Sequence, residues 1–306
     1  MIPDEVREAC AWVAERARSV RLELGAIEAY AHALPRDGAG GGDPAAALRG
    51  FDRETRVAFV LCLDAINFGS GWWPTVRRRP GLSGYSTVEA GVVDRFRTDG
   101  AWSAAELAES SAAGVAAVLG QGPSHPLMED FARSLRDVGA RLLAEFDGRF
   151  EHVVDAAGGS ALALADRLAS WDAFADESTY EGRRVPFYKR AQIAAADLDR
   201  AGVATFEDRG RLTAFADNLV PHVLRVDGVL RLDPELEGAI EAGELLEHGS
   251  SAEVELRACA VHAVELLAAA AGGRLSPPEI DALLWNRGRG PRYKALPRPR
   301  SRNTAY

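Results

Sequence analysis

Four short segments place residues able to do chemistry beside one another. FYKRAQIAAADL (187–198) sets Phe187, Ala191, Ala194 and Leu198 on one helical stripe and leaves Lys189 and Gln192 on a different face. That face either meets solvent, as lysine-bearing helix faces usually do, or offers a cation and an amide to a partner. RLTAFADNLVPHVL (211–224) puts Leu212, Phe215 and Leu219 on a stripe with Asp217 off it, followed by Pro221. Proline lacks an N–H, so in a continuing helix the Asp217 carbonyl loses its partner. A kink at that point would carry a carboxylate into a cavity, next to Asn218 and His222; a plain helix end explains the same letters. DAINFGSGWWP (64–74) combines Asp64 and Asn67 with the aromatics Phe68, Trp72 and Trp73. Ring faces can stack a flat heterocycle while acid and amide meet its polar edge, although core packing uses the same side chains. In IDALLW (280–285), Asp281 and Trp285 are four apart and share a helix face, fit to hold a planar polar ligand or to be a surface acid beside a core indole.

The elements that must position these residues read as helices almost throughout. Val6, Cys10, Val13, Ala17 and Val20 recur at helical spacing. Ser103 and Glu106 form a capping box before a run that ends at Gly120, and Ser86 with Glu89 starts another helix. Asp233-Pro234 opens one that Gly243 stops, Ser250 and Glu253 open a long one reaching Gly272, and SPPEIDALLW begins with Ser276 as cap. Pro186 suits the first helical position before 187–198. VAFVLCL (57–63) is too short for periodicity to assign, and no hairpin turn flanked by alternating segments is evident. Loops are expected at 37–44, 69–84 and 176–186. The glycine-rich DGAGGGDP (37–44) lacks the Lys and Ser/Thr of a phosphate-cradling loop and reads as surface. Without repeats or a long polar linker, the expectation is an all-α chain forming a single helical domain over residues 1–306.

With 47% hydrophobic and 26% charged residues in 306, the chain can bury a substantial core and fits neither a disordered nor a membrane class. No apolar run approaches about 20 residues, and MIPDEVREAC carries acids where a signal peptide needs a basic and then an apolar segment, so a cytoplasmic protein is expected. The net charge of −9 argues against a general polyanion binder, although 287–302 carries seven Lys and Arg and no acid, as a solvated tail or a phosphate-reading surface. Cys10, Cys62 and Cys259 lie far apart in apolar contexts and read as buried free thiols. No clustered His/Cys ligand set suggests a metal, since His125, His152 and His248 are scattered.

Taken together, FYKRAQIAAADL, LTAFADNLVPHVL, the DAINF segment, GYSTVEA (84–90), EVELRACAVHAVELL (253–267) and the closing IDALLW…YKALPRPRSRNTAY resemble the queuosine salvage proteins, the queuosine 5′-phosphate N-glycosidases. The resemblance runs in order from about Asp64 to Tyr306, and the first sixty residues share only a helical character. It implies an architecture similar to the helical DNA glycosylases, and release of the base queuine from queuosine 5′-monophosphate for reuse in tRNA modification. It further implies that the enzyme acts on the free nucleotide, with no cofactor, no metal, no membrane and no stable nucleic-acid partner. By the same resemblance Asp217 is the catalytic carboxylate and Lys189 the lysine of the K-R-A-Q segment. The chain departs from the family pattern at Asn218, Leu219 and His222, which stand for Tyr, Arg and Gln, and at Pro299, which stands for His.

The chemistry fits those residues. Breaking an N-ribosidic bond passes through an oxocarbenium-like ribose, so an ionised Asp217 would stabilise positive charge and orient or deprotonate water. A 7-deazapurine has no N7 to protonate, so contacts to its guanine-like edge must carry the leaving group's charge. Asp281 and Asp64 are candidates for the N1–H and 2-amino donors and for the amine of the cyclopentenediol arm. Phe68, Phe215 and Trp285 would stack, Asn67 would bridge a polar edge, and Lys189, Arg190 or Lys294 would meet the 5′-phosphate, with Lys189 alternatively setting the charge of Asp217. Two other classes use the same segments: a non-catalytic queuine- or nucleoside-binding protein, and a helical enzyme acting on bases in a polynucleotide.

Overall fold

The helix Ser251–Ala270 is buried along nearly its whole circumference, and the rest of the fold is arranged around it. The computed structural model of the protein describes residues 1–35 and 43–306. In chain order the main elements are α1 (Ile2–Ala14), β1 (Val20–Leu22), α2 (Leu24–Ala33), α3 (Arg53–Ala65), α4 (Gly84–Thr98), α5 (Ala104–Ala108) and α6 (Ala112–Leu119). Then come α7 (Pro126–Glu145), α8 (Phe150–Asp155), α9 (Ala161–Ala169), β2 (Glu177–Tyr180), β3 (Arg183–Pro186) and α10 (Lys189–Arg200). The chain closes with α11 (Leu219–Val226), β4 (Leu230–Leu232), α12 (Pro234–Glu241), α13 (Ser251–Ala270), α14 (Pro277–Gly288) and α15 (Pro291–Lys294). The architecture is helical, with two small antiparallel pairs, β1 with β4 and β2 with β3.

Two apolar cores sit on either side of α13. One is built from α1 and α3 to α10 and takes Val254, Ala258 and Val261 from α13. The other joins α2, α11, α12 and α14, and takes Leu256, Cys259, Ala260, Ala263, Val264 and Leu267. Each fully buried Val or Leu of α13 contributes roughly 2 kcal/mol. Ser250 caps its first turn by accepting from the Glu253 N–H, and Gly272 follows its end with φ of 64°, as the spacing predicts. The capping boxes at Ser103/Glu106 and Ser276/Glu279 are both formed.

Several boundaries differ from expectation for physical reasons. The Val6 to Val20 stripe stops being helical after Ala14, because residues 20–22 leave to pair with β4. The run toward Gly120 is two helices, since Ser111 caps a second start by accepting from Gly114 N–H. The 84–98 helix is capped by Ser83, three residues before Ser86. VAFVLCL belongs to α3, and its run is apolar on every side because that helix is enclosed. The predicted loop 176–186 is a β-hairpin: Glu181 and Gly182 both have positive φ (45° and 80°), so Glu-Gly forms the left-handed two-residue turn that the more familiar Asn-Gly usually marks. Pro186 ends β3, and α10 begins at Lys189 after a left-handed Tyr188 with φ of 48°. Of the expected loop 37–44, residues 37–42 lie outside the described residues.

Candidate active site

The seam between the two cores is where the polar side chains collect. α10 approaches it with the stripe Phe187, Ala191, Ala194 and Leu198 fully buried, and Gln192 does not face solvent. Its amide accepts from the Thr213 N–H at 3.0 Å and donates to Thr213 Oγ1 and to the Phe187 carbonyl, clamping the chain just ahead of Asp217. The segment 212–218 is not helical. α11 starts at Leu219, so Pro221 lies in a first turn, where its missing N–H costs nothing, and does not kink a continuing helix. Asp217 supplies the cap: its Oδ1 accepts the N–H groups of Leu219 and Val220, both at 2.9 Å, and its Oδ2 has no hydrogen-bond partner among the described residues.

Opposite it, Lys189 is buried with its Nζ 2.8 Å from the Asn67 carbonyl. Burial lowers the Lys189 pKa, while the nearby Asp217 and Asp64 carboxylates pull the other way. Burial likewise raises Asp217, against the opposing fields of Lys189, the two capping N–H groups and Arg257. Asp281, from the first turns of α14, accepts the Phe215 N–H at 2.9 Å through Oδ1. Burial and then the neighbouring Asp217 push it up to about 8. α14 can come this close to α11 because residue 288 is glycine; a Cβ there would lie 2.7 Å from Leu219 Cδ1. Asp64, at the end of α3, receives the Asn67 amide at 3.3 Å on Oδ1, while its buried Oδ2 is unpartnered. Burial, then Asp197, raise its carboxyl well above the ordinary range.

The predicted residues thus fall into two groups. Asp64, Asn67, Lys189, Phe215, Asp217 and Asp281 converge through these bonds and fields, and Trp285 lies alongside, edge-on to Tyr85 at 6.3 Å with the Arg289 guanidinium 5.0 Å from its ring centroid. Phe68, Arg190 and Lys294 do not join them. The Phe68 ring is covered by Phe131 at 5.0 Å and by the Arg190 guanidinium at 4.9 Å, leaving no open face to stack a ligand. Arg190 is fully buried, donates to the Ala65 carbonyl at 2.6 Å and is lowered to about 10 by burial, so it braces the core and meets no phosphate. Lys294 is exposed on α15.

The seam also holds residues that the sequence does not mark as site residues. Tyr85 and Glu89, from α4, sit within the field of Asp197, Tyr85 also within that of Asp64, and Asp197 pairs with Arg200 at 2.8 Å. Arg298 is near enough to Asp217 for the carboxylate to offset part of the lowering that burial imposes on it, and it donates to the Gly288 carbonyl at 3.1 Å. Behind Asp217, a small cavity is lined by Asn218, Glu253, Arg257, Pro299 and Tyr306. GYSTVEA and EVELRACAVHAVELL, noted in the sequence as whole segments, contain Tyr85, Glu89, Glu253 and Arg257; the i, i+4 spacing of Glu253 and Arg257 was the available signal. Among the described residues no group of three or more His, Cys, Asp or Glu is arranged to hold a metal ion, and no helix is long and apolar enough to cross a membrane.

Comparison with known proteins gives one consistent result. A family model described as "Queuosine salvage protein" matches residues 49–306. A protein of Sphaerobacter thermophilus named queuosine 5′-phosphate N-glycosylase/hydrolase is 36% identical over 270 residues, covering 83% of this chain and 82% of that protein. Proteins of the same name from Mus musculus and Dictyostelium discoideum are 37% and 34% identical, over 59% and 60% of this chain and the same shares of their own lengths. The match takes in every element that carries a side chain at the seam, and the chain belongs to the queuosine salvage protein family.

Proposed function

We propose that this protein is an N-ribosyl hydrolase that releases queuine from queuosine 5′-monophosphate. The observation that carries the reading is the Asp217 carboxylate: one oxygen is pinned by two helix-terminal N–H groups, and the other is left unpaired beside Lys189 and Asp281. A pinned carboxylate with one free oxygen is preorganised to face the positive charge that develops on ribose as the bond to N9 breaks, and to orient the attacking water. Lys189 holds Asp217 toward its ionised form, and its own position is fixed by the Asn67 carbonyl.

The base is held at its donor edge. Asp281 has one oxygen on the Phe215 N–H and the other free, which suits the N1–H and 2-amino pair of a 7-deazaguanine. Because burial holds this carboxyl up near 8, taking those donors favours its ionised form, and binding releases a proton below that pH. Trp285 and Phe215 supply stacking surface, and Asp64 with its unpartnered oxygen suits the cationic arm. Arg298, half-buried beside Asp217, is the cation we assign to the 5′-phosphate, in place of Arg190 and Lys294.

Two of the departures from the family pattern are absorbed by main chain. Asn218 donates to the Pro299 carbonyl at 2.8 Å, and His222, lowered to about 4 by burial and hence neutral, donates to the Tyr293 carbonyl at 2.9 Å. They brace the 293–299 segment that carries Arg298. We further read residues 1–306 as one domain, supported by the contribution of α13 to both cores, and the protein as cytoplasmic, supported by three buried cysteines without disulfides. The substrate is the free nucleotide; the net charge of −9 supports the absence of a stable nucleic-acid partner. Incubation of the purified protein with queuosine 5′-monophosphate and chromatographic detection of free queuine tests the assignment, and absence of release by the wild type ends it.

A further inference from the structure

Two buried side chains that need not touch any substrate connect the main chain at both halves of this site. The Arg257 guanidinium, from the second turn of α13, donates from Nε to the Ala216 carbonyl at 2.9 Å and from Nη2 to Asp176 Oδ2 at 2.7 Å. That same carboxylate oxygen accepts the Lys189 N–H at 3.0 Å. We propose that Arg257 and Asp176 are positioning residues for the hydrolysis: together they fix the main chain beside Asp217 relative to the main chain of Lys189, and so set how the ammonium meets the carboxylate.

The geometry supports a ruler rather than a bolt. Ala216 is the residue before Asp217, and Lys189 is the first helical residue of α10, so neither bond is more than one residue from a site side chain. The carbonyl of Asp176 also accepts the N–H groups of Phe187 and Tyr188, at 2.9 and 3.2 Å, which fixes the left-handed turn into α10 from the β-hairpin side. Two rings pack against Arg257, with its guanidinium carbon 4.0 Å from the Phe187 ring centroid and 4.6 Å from that of Tyr306. A planar fork reaches both acceptors while stacking on rings; an ammonium on a flexible stem cannot hold that geometry. Both side chains are essentially inaccessible, at 1% and 0%. An enclosed ion pair is weak support for stability in itself, because desolvation offsets the attraction. What this pair holds is the separation between the two halves of the site.

The proposal rests on the hydrolase reading, and its test separates the two. Arg257→Lys and Asp176→Asn are compared with Glu255→Gln, a change in a different buried cluster on the same helix that serves as a control for lost stability. A misplacement of about 1 Å at reacting groups can cost on the order of a hundredfold. With queuosine 5′-monophosphate as substrate, kcat of Arg257→Lys and Asp176→Asn should fall by about tenfold or more, with KM within about threefold of wild type. Glu255→Gln, at equal or greater loss of Tm, should keep its kcat. Where Arg257→Lys does not accumulate as folded protein, Asp176→Asn, which keeps an acceptor oxygen for the Lys189 N–H, carries the test alone. The proposal is overturned if the site variants lose no more kcat than Glu255→Gln does, or lose it only through KM. Absence of queuine release by the wild type overturns the hydrolase reading instead.

Discussion

Glu255 is a fully buried carboxylate and Asp217 a partly buried one, and their oxygens are treated in opposite ways. Glu255 Oε2 accepts the N–H groups of Arg18, Ser19 and Val20 at 2.9, 2.6 and 3.1 Å, while Oε1 accepts the Tyr180 hydroxyl at 2.8 Å. Four donors leave it nothing further to bind, and they tie the entrance of β1 to α13. At the seam, Asp217 and Asp281 each have donors on one oxygen only, and one oxygen of Asp64 is buried with none. A buried polar atom left without a partner costs on the order of 1–3 kcal/mol, which is tolerated where a ligand supplies the missing partner. For side chains that face the seam, the difference offers a way to tell an anchoring acid from those we propose to work: by the donors each oxygen receives, since Asp64 and Asp281 are as deeply buried as Glu255.

The sharpest way to break that distinction is Asp217→Asn, which keeps the shape and the capping bonds but removes the charge. Turnover should fall by on the order of a hundredfold or more with queuine binding retained, read by product release and calorimetry. Near-normal turnover would move the working carboxylate elsewhere. Lys189→Met comes next, with an expected loss of about tenfold or more in kcat. Since the ammonium opposes the burial that raises Asp217, the acid limb of the pH–rate profile should also move to higher pH in that variant. An unmoved limb would show that Lys189 does not act on Asp217.

Asp281→Asn should separate function from stability. A carboxyl held near 8 in the fold against 3.8 in the open chain keeps its proton on folding across that interval. Wild-type stability therefore falls as pH rises from about 4 toward about 8 and levels off beyond, and the neutral variant escapes the loss. At pH 9 it should be more stable by up to a few kcal/mol in urea unfolding, with a KM raised by about tenfold or more. Equal stability at pH 5 and pH 9 relative to wild type would count against the burial argument. Arg298→Ala should raise KM about tenfold for the 5′-phosphorylated substrate and leave the free nucleoside unaffected, since one charge-assisted contact is at stake. Smallest for activity is Glu255→Gln, expected to destabilise by about 1–3 kcal/mol without changing kcat; a matching loss of turnover would erase the distinction between anchoring and working acids.

How much of this was legible in the sequence depended on whether the signal was local. The caps at Ser103, Ser250 and Ser276 and the α10 stripe could be read directly, because capping and amphipathic spacing are properties of adjacent residues. The hairpin was missed because its Glu-Gly turn requires a left-handed glutamate, which is uncommon, and the strands are four residues each. Pro221 singles out Asp217 in the sequence, but the kink it suggests is absent, because the acid caps the start of a helix instead of breaking one. Phe68 and Arg190 failed as site residues because a ring in a polar segment and a cation beside a lysine say nothing of which way they turn; here they satisfy each other in the core. Arg257 was invisible as a single letter, since its meaning lies in Asp176 and Ala216, 81 and 41 positions away.

The double allegiance of α13 also bears on how the chain is made. α1 and α3 are synthesised early, but α1 lies against α13, and the Val20 N–H waits for Glu255, 235 residues later. During translation the apolar side of α1, with Val6, Cys10 and Val13, meets α9 and β3 first and lacks its main partner, α13, until more than two hundred further residues have emerged. Contacts of such sequence separation form slowly, because a long loop must close before it is rewarded. Growing chains that stall before α13 will expose much of that surface and should depend on holding chaperones, whereas the completed chain has the helix that both cores share.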